Sequence, residues 1–340
     1  MPISNCQVVL ARPLHGAPKV GDFRLQHTPP PEPRAGQLLV RHIYLSLDPY
    51  QRPAMAGRHL GDTGATEAGQ VPPGETIGQV LVSRHAAFSP GDYVRHNGGW
   101  QSCSLADGEA ACRIDPASAP LPAYLGVLGM PGLTAWASVV HLAGVSAGQT
   151  LLVSAATGPV GSLAGQLARL AGATVIGIAG SDEKCRHATE DLGYRACINH
   201  KSVDYPASLR AAAADGVDAY HDNVGGQMLM DGLGVLKNHG TVVMCGLISQ
   251  YNEPARDAGI NLGLAIKKRA VMKGLVVFDY EDRRQQFIDM VAPLVVSGAI
   301  RYREDRVSGL ENAAAHFERL MTGNNFGKSL VVVGEERIPG

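Results

Sequence analysis

The sequence lacks the long apolar runs that membrane helices need. A membrane-spanning helix takes about 20 consecutive apolar residues, and no stretch of the chain approaches that length. The first residues, MPISNCQVVLARP, also lack the charged start and extended apolar core of a secretory signal. We therefore expect a cytoplasmic protein that has no membrane partner.

An excess of charge of one sign is missing too. The chain has 30 basic and 31 acidic residues, a net charge of −1, and only 18% charged residues. Proteins that bind nucleic acids or anionic membrane surfaces usually carry a clear positive excess. The composition therefore favours neither as a partner.

Paired cysteines are also absent. The six cysteines form no C-x-x-C motif, so the pattern favours reduced thiols in a cytosolic protein over a disulfide framework. At 340 residues the chain is too long for one typical core, and two domains are expected.

Residues 151–172 combine a short apolar run, a glycine turn and an amphipathic segment. A buried strand followed by a tight turn and a helix is the phosphate-binding start of a dinucleotide fold. Gly158 would let the backbone approach a pyrophosphate, and Gly161 would let the helix pack closely on the strand. Ala156 replaces the usual first glycine, which leaves an ordinary tight connection as the alternative.

The two parts of the chain differ in their patterns. Residues 1–125 contain short apolar runs between proline- and glycine-rich turns, which predict an antiparallel, barrel-like domain. From residue 126, strands and helices alternate as in a doubly wound parallel sheet, so the fold class is α/β. The predicted strands are residues 37–45, 75–83, 92–95, 151–153, 174–179, 196–198, 217–221, 240–245, 271–277 and 329–333, and the predicted helices are residues 134–142, 160–170, 182–192, 287–297 and 310–322.

The end of the second strand of this alternating region indicates the cofactor. An NAD-preferring site has an acid there to bind the adenine ribose, but this chain has Ser181, followed by Asp182, Glu183 and Lys184. Lys184 would stabilise the 2′-phosphate of NADP(H). Alternatively, Ser181 caps the next helix and Lys184 is merely solvated. We favour NADP(H).

A zinc site is not expected. Zinc alcohol dehydrogenases with a β-rich domain before a nucleotide domain carry Gly-His-Glu where this chain has Gly74 followed directly by Glu75. The four-cysteine cluster of a structural zinc site is also absent from the sequence.

Several blocks together resemble the medium-chain dehydrogenase/reductase superfamily, in its zinc-independent leukotriene/prostaglandin reductase and alkenal double-bond reductase branch, which includes curcumin reductases. The blocks are YLSLDPY at residues 44–50, AATGPVGS at 155–162, GSDEK at 180–184, DNVGG at 222–226, CGLISQYN at 245–252 and GNNFGK at 323–328. The resemblance implies a GroES-like barrel domain formed by residues 1–125 and 301–340 around a Rossmann domain at 126–300.

The resemblance also implies which residues bind NADPH. They are Gly158, Pro159, Val160, Gly161, Ser181, Lys184, His200, Asn223, Cys245, Gly246, Leu247, Ile248, Ser249, Tyr251, Leu275, Val276, Val277, Phe278 and Asn325. His200 departs from the branch, which has a tyrosine there; a protonated histidine would still donate to a phosphate. A pocket loop at 57–69 departs as well, since it lacks the tyrosine often found there.

The implied reaction is hydride transfer to the β-carbon of an α,β-unsaturated ketone or aldehyde, followed by protonation of the α-carbon. Without a metal, the developing enolate needs hydrogen-bond donors, and a phenol is a neutral donor at pH 7. We favour Tyr251 as polariser and proton donor and Tyr50 as a positioning group; the alternative is that both line an apolar pocket. The competing functions are quinone reduction, oxidation of a secondary alcohol, and NADPH binding without catalysis. A homodimer paired through the strand at 271–277 is also expected.

Overall fold

The computed structural model describes residues 4–59, 64–252 and 262–336. Residues 60–63 of the predicted pocket loop lie outside the described part. The chain divides into two compact units: the first is drawn from Met1–Leu125, Tyr251–Pro254 and Glu304–Gly340, and the second from Gly126–Gln250 and Ala255–Arg303.

The described residues form strands of three to ten residues, short α-helices and a few tighter or wider helical turns. The strands are β1 (Asn5–Leu10), β2 (Phe23–Thr28), β3 (Gln37–Ser46), β4 (Thr76–Ser83), β5 (Tyr93–His96), β6 (Cys103–Asp107), β7 (Cys112–Ile114), β8 (Thr150–Ser154), β9 (Thr174–Ala179), β10 (Ala196–Asn199), β11 (Val217–Asp222), β12 (Leu236–Met244), β13 (Val271–Gly274), β14 (Glu304–Ser308) and β15 (Lys328–Val332). The α-helices are α1 (Gln51–Met55), α2 (Met130–Trp136), α3 (Pro159–Leu170), α4 (Asp182–Glu190), α5 (Tyr205–Ala212), α6 (Gly226–Val235), α7 (Gly263–Lys268), α8 (Arg284–Val296) and α9 (Ala313–Met321). Shorter 3₁₀ segments are Val20–Asp22, Leu121–Leu125, Ile248–Gln250, Val277–Arg283 and Leu310–Asn312, and Ala137–Ala143 is a π-helical segment.

The first unit contains a seven-stranded sheet in the order β14-β15-β3-β4-β5-β7, with β6 paired to β3, and a separate β1–β2 pair. The other neighbouring strands are antiparallel, but β14 and β15 run parallel. Among the described residues of 1–125, the paired strands are antiparallel as predicted, and the parallel pair β14–β15 comes from residues 304–332. That pair is parallel because α9 lies between its two strands and provides the crossover that a parallel pair requires.

A buried ion pair fixes the turn that leads into α1. Lys328, at the start of β15, donates from Nζ to Asp48 Oδ1 at 2.5 Å and to the carbonyl oxygen of Leu47 at 3.0 Å. Ser46 Oγ donates to the other carboxylate oxygen of Asp48. Lys328 and Asp48 are both almost fully buried, so each charge depends on the other for compensation. The turn that ends at Tyr50 is thereby tied to the start of β15.

The second unit contains a six-stranded, fully parallel sheet in the order β10-β9-β8-β11-β12-β13. Residues in the centres of β8 and β9 are buried at successive positions, as expected where both faces of a sheet are covered. The predicted parallel sheet is confirmed. The strand order reverses between β8 and β11, and in open α/β sheets ligands bind at such a switch point, beyond the carboxyl ends of the strands.

Several element boundaries differ from the prediction. The predicted helix at 134–142 is α2 followed by the π-helical segment, and the predicted strand at 271–277 ends at Gly274. β12 begins at Leu236, earlier than expected, because the polar residues 237–240 hid its first half. Within the described ranges, no helix has both the length and the apolar character needed to cross a membrane.

Candidate active site

The structure gathers the predicted cofactor residues of the second unit at one edge of its parallel sheet. Each group follows the carboxyl end of a strand: the glycine turn follows β8, Ser181 follows β9, His200 follows β10, Asn223 follows β11, the 245–250 loop follows β12, and Leu275–Phe278 follow β13. Because all six strands are parallel, these ends meet at the same edge. This is the edge where an open α/β sheet binds its ligand.

The glycine turn leaves no room for a side chain at Gly161. A Cβ at Gly161 would lie 2.4 Å from the carbonyl oxygen of Ala155, which is a backbone atom. Ala155 itself has a φ of 49°, a left-handed conformation that is unfavourable for a residue with a Cβ. Gly158 is the N-cap of α3 and Pro159 occupies its first turn. The turn therefore presents backbone and a helix N-terminus, the features that hold a pyrophosphate.

Tyr194 supports this turn from inside the unit. Its hydroxyl donates to the carbonyl oxygen of Gly161 at 2.6 Å, and Tyr194 is 3% exposed. The ring occupies the space beside Gly165, where a Cβ would lie 2.1 Å from the hydroxyl oxygen. Tyr194 was not among the predicted site residues, because no local pattern links it to a turn more than thirty residues earlier in the chain.

Basic side chains cluster at the ends of β9 and β10. A Cβ at Gly180 would lie 3.4 Å from His200 Nε2 and 3.8 Å from Lys201 Cε, so both side chains reach the end of β9. Burial, and then the charges of Lys201 and Lys184, lower the pKa of His200 below its ordinary value. Mutual repulsion of this kind is what a bound phosphate would relieve. Lys201 was not among the predicted site residues, although it directly follows His200.

Ser181 has the capping role that was the alternative interpretation. Its Oγ accepts a hydrogen bond from the backbone N–H of Lys184 at 3.2 Å and so caps α4. Asp182 in the same turn accepts from Asn199 Nδ2 at 2.8 Å, which joins α4 to the end of β10. A cap uses one lone pair of the hydroxyl, so Ser181 keeps a donor proton for a ligand.

The turn after β11 is organised by Asp222. Its buried carboxylate accepts hydrogen bonds from Ser154 Oγ at 2.8 Å and Tyr220 at 2.7 Å, and from the backbone N–H groups of the two residues after Asn223. A carboxylate with this many donors is a structural acceptor and not an acid/base group. Asn223 donates from Nδ2 to the carbonyl oxygen of Ser154 at 2.8 Å, so its side chain is held against the end of β8.

The loop after β12 is bound to this turn through its backbone. The N–H groups of Cys245 and Gly246 donate to the carbonyl oxygen of Asp222 at 2.7 and 3.3 Å. Ser249 donates to the carbonyl oxygen of Val224 from its backbone and from its hydroxyl, at 3.2 and 2.7 Å. Burial raises the pKa of the Cys245 thiol to about 12, so Cys245 is protonated at neutral pH and is a packed residue, not a nucleophile.

The two tyrosines predicted to act on the substrate both belong to the first unit. Although Tyr251 follows the β12 loop in sequence, it packs against the apolar cluster that contains Trp100 and Phe317. Arg58 Nη2 donates to the carbonyl oxygen of Tyr251 at 3.2 Å. This places Tyr251 beside a loop of the first unit, which its position in the sequence did not indicate.

The Arg58 loop reaches Tyr50 as well. The neighbouring His59 stacks on the Tyr50 ring, with centroids 4.9 Å apart. Burial, and then the charges of Asp48 and Glu75, raise the pKa of Tyr50 above its ordinary value, and burial lowers the pKa of His59. Tyr50 is therefore a protonated phenol at neutral pH, able to donate a hydrogen bond, and it lies next to a neutral imidazole. His59 was not predicted to belong to the site.

Asn325 also lies in the first unit, in the loop between α9 and β15. Its Nδ2 donates to the carbonyl oxygen of Gly327 at 2.9 Å.

At the position compared with zinc enzymes, Glu75 forms an ion pair with Arg95 at 3.0 Å. Across the described ranges, no group of three or more His, Cys, Asp and Glu side chains is arranged to hold a metal ion.

Comparison with known proteins places this architecture in a family. The model described as the N-terminal domain of oxidoreductase matches residues 6–114, and the model described as zinc-binding dehydrogenase matches residues 159–293. The NADPH-dependent curcumin reductase of Escherichia coli (strain K12) is 37% identical over 339 residues, covering 98% of each chain. The chain belongs to the medium-chain dehydrogenase/reductase superfamily. The resemblance inferred from the sequence blocks is confirmed, as is the predicted fold class.

Two further members of the superfamily extend the comparison. The NADP(+)-dependent 2-alkenal reductase of Nicotiana tabacum is 36% identical over 340 residues, covering 98% of this chain and 99% of the relative. The crystal structure of CurA from Vibrio vulnificus in complex with NADPH is 38% identical, with a TM-score of 0.90, covering 97% of this chain and all of that one. The similarity therefore extends over both units.

Proposed function

We propose that this superfamily member is an NADPH-dependent reductase of the carbon–carbon double bond of α,β-unsaturated ketones and aldehydes. The observation that supports this most strongly is its end-to-end similarity to reductases whose names specify curcumin and 2-alkenals as substrates. Quinone reduction was the closest enzymatic alternative, and no feature of the described site favours it specifically.

The sheet edge of the second unit is the proposed binding site for NADPH. The turn of residues 158–161 would hold the pyrophosphate through backbone N–H groups. Ser181, Lys184 and His200 would hold the 2′-phosphate, and Lys201 joins them because its side chain lies at the same strand end. The remaining proposed contacts are Asn223, residues 245–249, Tyr251, residues 275–278 and Asn325. NADPH, when bound there, supplies the hydride.

The two tyrosines are proposed to act on the substrate carbonyl. Reduction at the β-carbon places negative charge on the carbonyl oxygen, which must be stabilised by donors because no metal is proposed. Tyr50 keeps its proton at neutral pH since burial raises its pKa, which suits a donor that positions the substrate. Tyr251 is proposed as the polariser and as the source of the proton for the α-carbon.

We further propose the assembly and location expected from the sequence. The domains would be a catalytic one at 1–125 and 301–340 and an NADP(H)-binding one at 126–300.

β13 is an edge strand with an exposed Val271, and the nearby Ile266 and Phe278 are 79% and 62% exposed. A homodimer formed by edge pairing would cover them. The six cysteines are all free, which suits a cytoplasmic protein.

The direct test of the reaction is product analysis with a small panel of substrates. A 2-alkenal, an aryl butenone, a 15-keto prostaglandin and a quinone would each be incubated with the protein and NADPH, and with NADH as the control. We expect saturated carbonyl products from the enones, with little turnover of NADH. Turnover of the quinone alone would contradict the proposal and support the alternative reductase.

Loss of the Tyr251 hydroxyl tests the proposed donor. Tyr251→Phe should lower kcat about 100-fold, the usual contribution of one transition-state donor. The Kd for NADPH should change much less, because the substitution keeps the ring that would contact the cofactor. Tyr124→Phe is the matched control, because Tyr124 packs against a different apolar cluster of the first unit. Equal kcat values for Tyr251→Phe and the unchanged protein would show that Tyr251 only lines the pocket.

A further inference from the structure

A buried series of hydrogen bonds connects the π-helical segment to Asn223. Ser138 Oγ lies 2.6 Å from His221 Nδ1, and His221 Nε2 lies 3.2 Å from Asn223 Oδ1. Ser138 and His221 are 0% and 1% exposed. Neither residue is among those proposed above to contact the cofactor. The hydrogen bonds that they form nevertheless lead to Asn223, which is one of the proposed contacts.

The direction of each hydrogen bond follows from one backbone carbonyl. The carbonyl oxygen of Ser154 can only accept, so it fixes Nδ2 of the Asn223 carboxamide on its side. Oδ1 must then face His221, and a contact with Oδ1 requires a proton on His221 Nε2. In the neutral imidazole Nδ1 is then an acceptor, and the hydroxyl of Ser138 donates to it.

The surroundings keep His221 neutral. Burial lowers the pKa of His221 to about 4, so the imidazole has a single N–H at neutral pH. The thiol of Cys245 also lies 3.4 Å from Nδ1, but Nδ1 has one lone pair, and the hydroxyl at 2.6 Å is the closer and stronger donor. The tautomer with the proton on Nε2 therefore satisfies both Ser138 and Asn223.

The order Ser138–His221–Asn223 is similar to that of hydrolytic triads, which use Ser-His-Asp or Cys-His-Asn, but these three residues cannot serve as one. A nucleophilic serine must reach a substrate carbonyl, and Ser138 is fully enclosed. The series leads outward at Asn223, which is partly exposed and follows the carboxyl end of β11. The hydrogen-bonded series therefore supports the side chain of Asn223 and does not itself react.

We propose that Ser138 and His221 are positioning residues that fix the Asn223 carboxamide for the nicotinamide riboside half of NADPH. The hydrogen bonds to Ser154 and His221 use one N–H and one lone pair of the carboxamide. The carboxamide of Asn223 keeps a second N–H and a second lone pair. These can serve as the donor and the acceptor for a ligand that has hydroxyl or carboxamide groups. This inference rests on the proposed NADPH site but not on the proposed substrate.

The test is a double-mutant cycle read out as the Kd for NADPH, measured by the fluorescence of the bound reduced nicotinamide. His221→Phe removes the donor to Asn223 and should raise Kd about fivefold, the factor for one ordinary hydrogen bond. His221→Gln retains an N–H donor and should restore most of the affinity. In the Asn223→Ala background, neither substitution at position 221 should weaken binding further, because the group they position is gone.

A purely structural role for His221 gives a different result. His221→Phe would then weaken NADPH binding by the same factor with or without the Asn223 carboxamide, and His221→Gln would give no rescue; either result overturns the proposal. If His221→Phe does not fold, Ser138→Ala replaces it in the same cycle and should raise Kd about twofold, only while Asn223 is present. Intact coupling in a protein that turns over no enone would refute the proposed substrate and leave this inference standing.

Discussion

Replacing Gly161 by alanine tests the glycine turn on which the proposed cofactor site is built. The new Cβ would lie 2.4 Å from the carbonyl oxygen of Ala155, 3.0 Å from its carbonyl carbon and 3.1 Å from Ala156 Cα. All three are backbone atoms, so no flexible side chain can move aside. Ala155 is already in a left-handed conformation, and Tyr194 fixes the carbonyl of Gly161 from the other side.

The size of the effect follows from two opposing contributions. Overpacking of this kind costs about 1–3 kcal/mol, while alanine in a helix is favoured over glycine by about 1 kcal/mol. We expect Gly161→Ala to lower the free energy of unfolding by about 1 kcal/mol, a change that urea denaturation can resolve. Because the strain is relieved by moving the turn, the Kd for NADPH should rise at least about tenfold, equivalent to about 1.4 kcal/mol.

A matched control is available in the same unit. Gly234 lies within α6, and a Cβ there meets nothing within 4 Å. Gly234→Ala should therefore raise the free energy of unfolding by about 0.5–1 kcal/mol and leave the Kd for NADPH unchanged. If Gly161→Ala binds NADPH as tightly as Gly234→Ala does, the turn does not hold the pyrophosphate.

Two further predictions concern charge. Burial and two lysines lower the pKa of His200 in the ligand-free protein, and a bound 2′-phosphate should raise it. NADPH binding should therefore take up a proton. The affinity for NADPH should then fall as the pH rises through the pKa that His200 has in the bound form. A preference for NADPH over NADH that stays flat from about pH 6 to about 8.5, and is unchanged in His200→Ala, would contradict this. Lys328→Met leaves the buried Asp48 carboxylate uncompensated and should lower the free energy of unfolding by about 3–5 kcal/mol. Denaturation of Lys328→Met with and without Asp48→Asn checks the cause, since the second change should recover much of the loss.

Local sequence patterns predicted the elements that are formed by residues close together in the chain. The strand, turn and helix around Gly161 were recognisable because the apolar runs and glycines that build them are adjacent in sequence. β14 was missed because its polar sequence, EDRVS, lies at a sheet edge and carries no apolar run. The first half of β12 was hidden in the same way.

The residues of the candidate site also differ in whether a local sequence pattern indicates them. In the second unit, the glycine turn and the residues after β9 were predicted from local patterns, and the other cofactor residues were implied by the resemblance of the sequence blocks to the superfamily. The contacts of Tyr194 with Gly161, and of Ser138 with His221, join distant segments of the chain, and no pattern in one sequence indicates such pairs. Likewise, the placement of Tyr251 in the first unit depends on tertiary contacts with Arg58 and the Trp100 cluster.

The proposed reaction is best tested by following the hydrogen that NADPH transfers. An enone would be reduced with NADPH carrying deuterium at the transferable position of the nicotinamide, and the product examined by NMR. We expect one deuterium on the β-carbon of a saturated ketone and a solvent-derived proton on the α-carbon. Deuterium on the carbinol carbon of an unsaturated alcohol would show carbonyl reduction instead, and would contradict the proposed function.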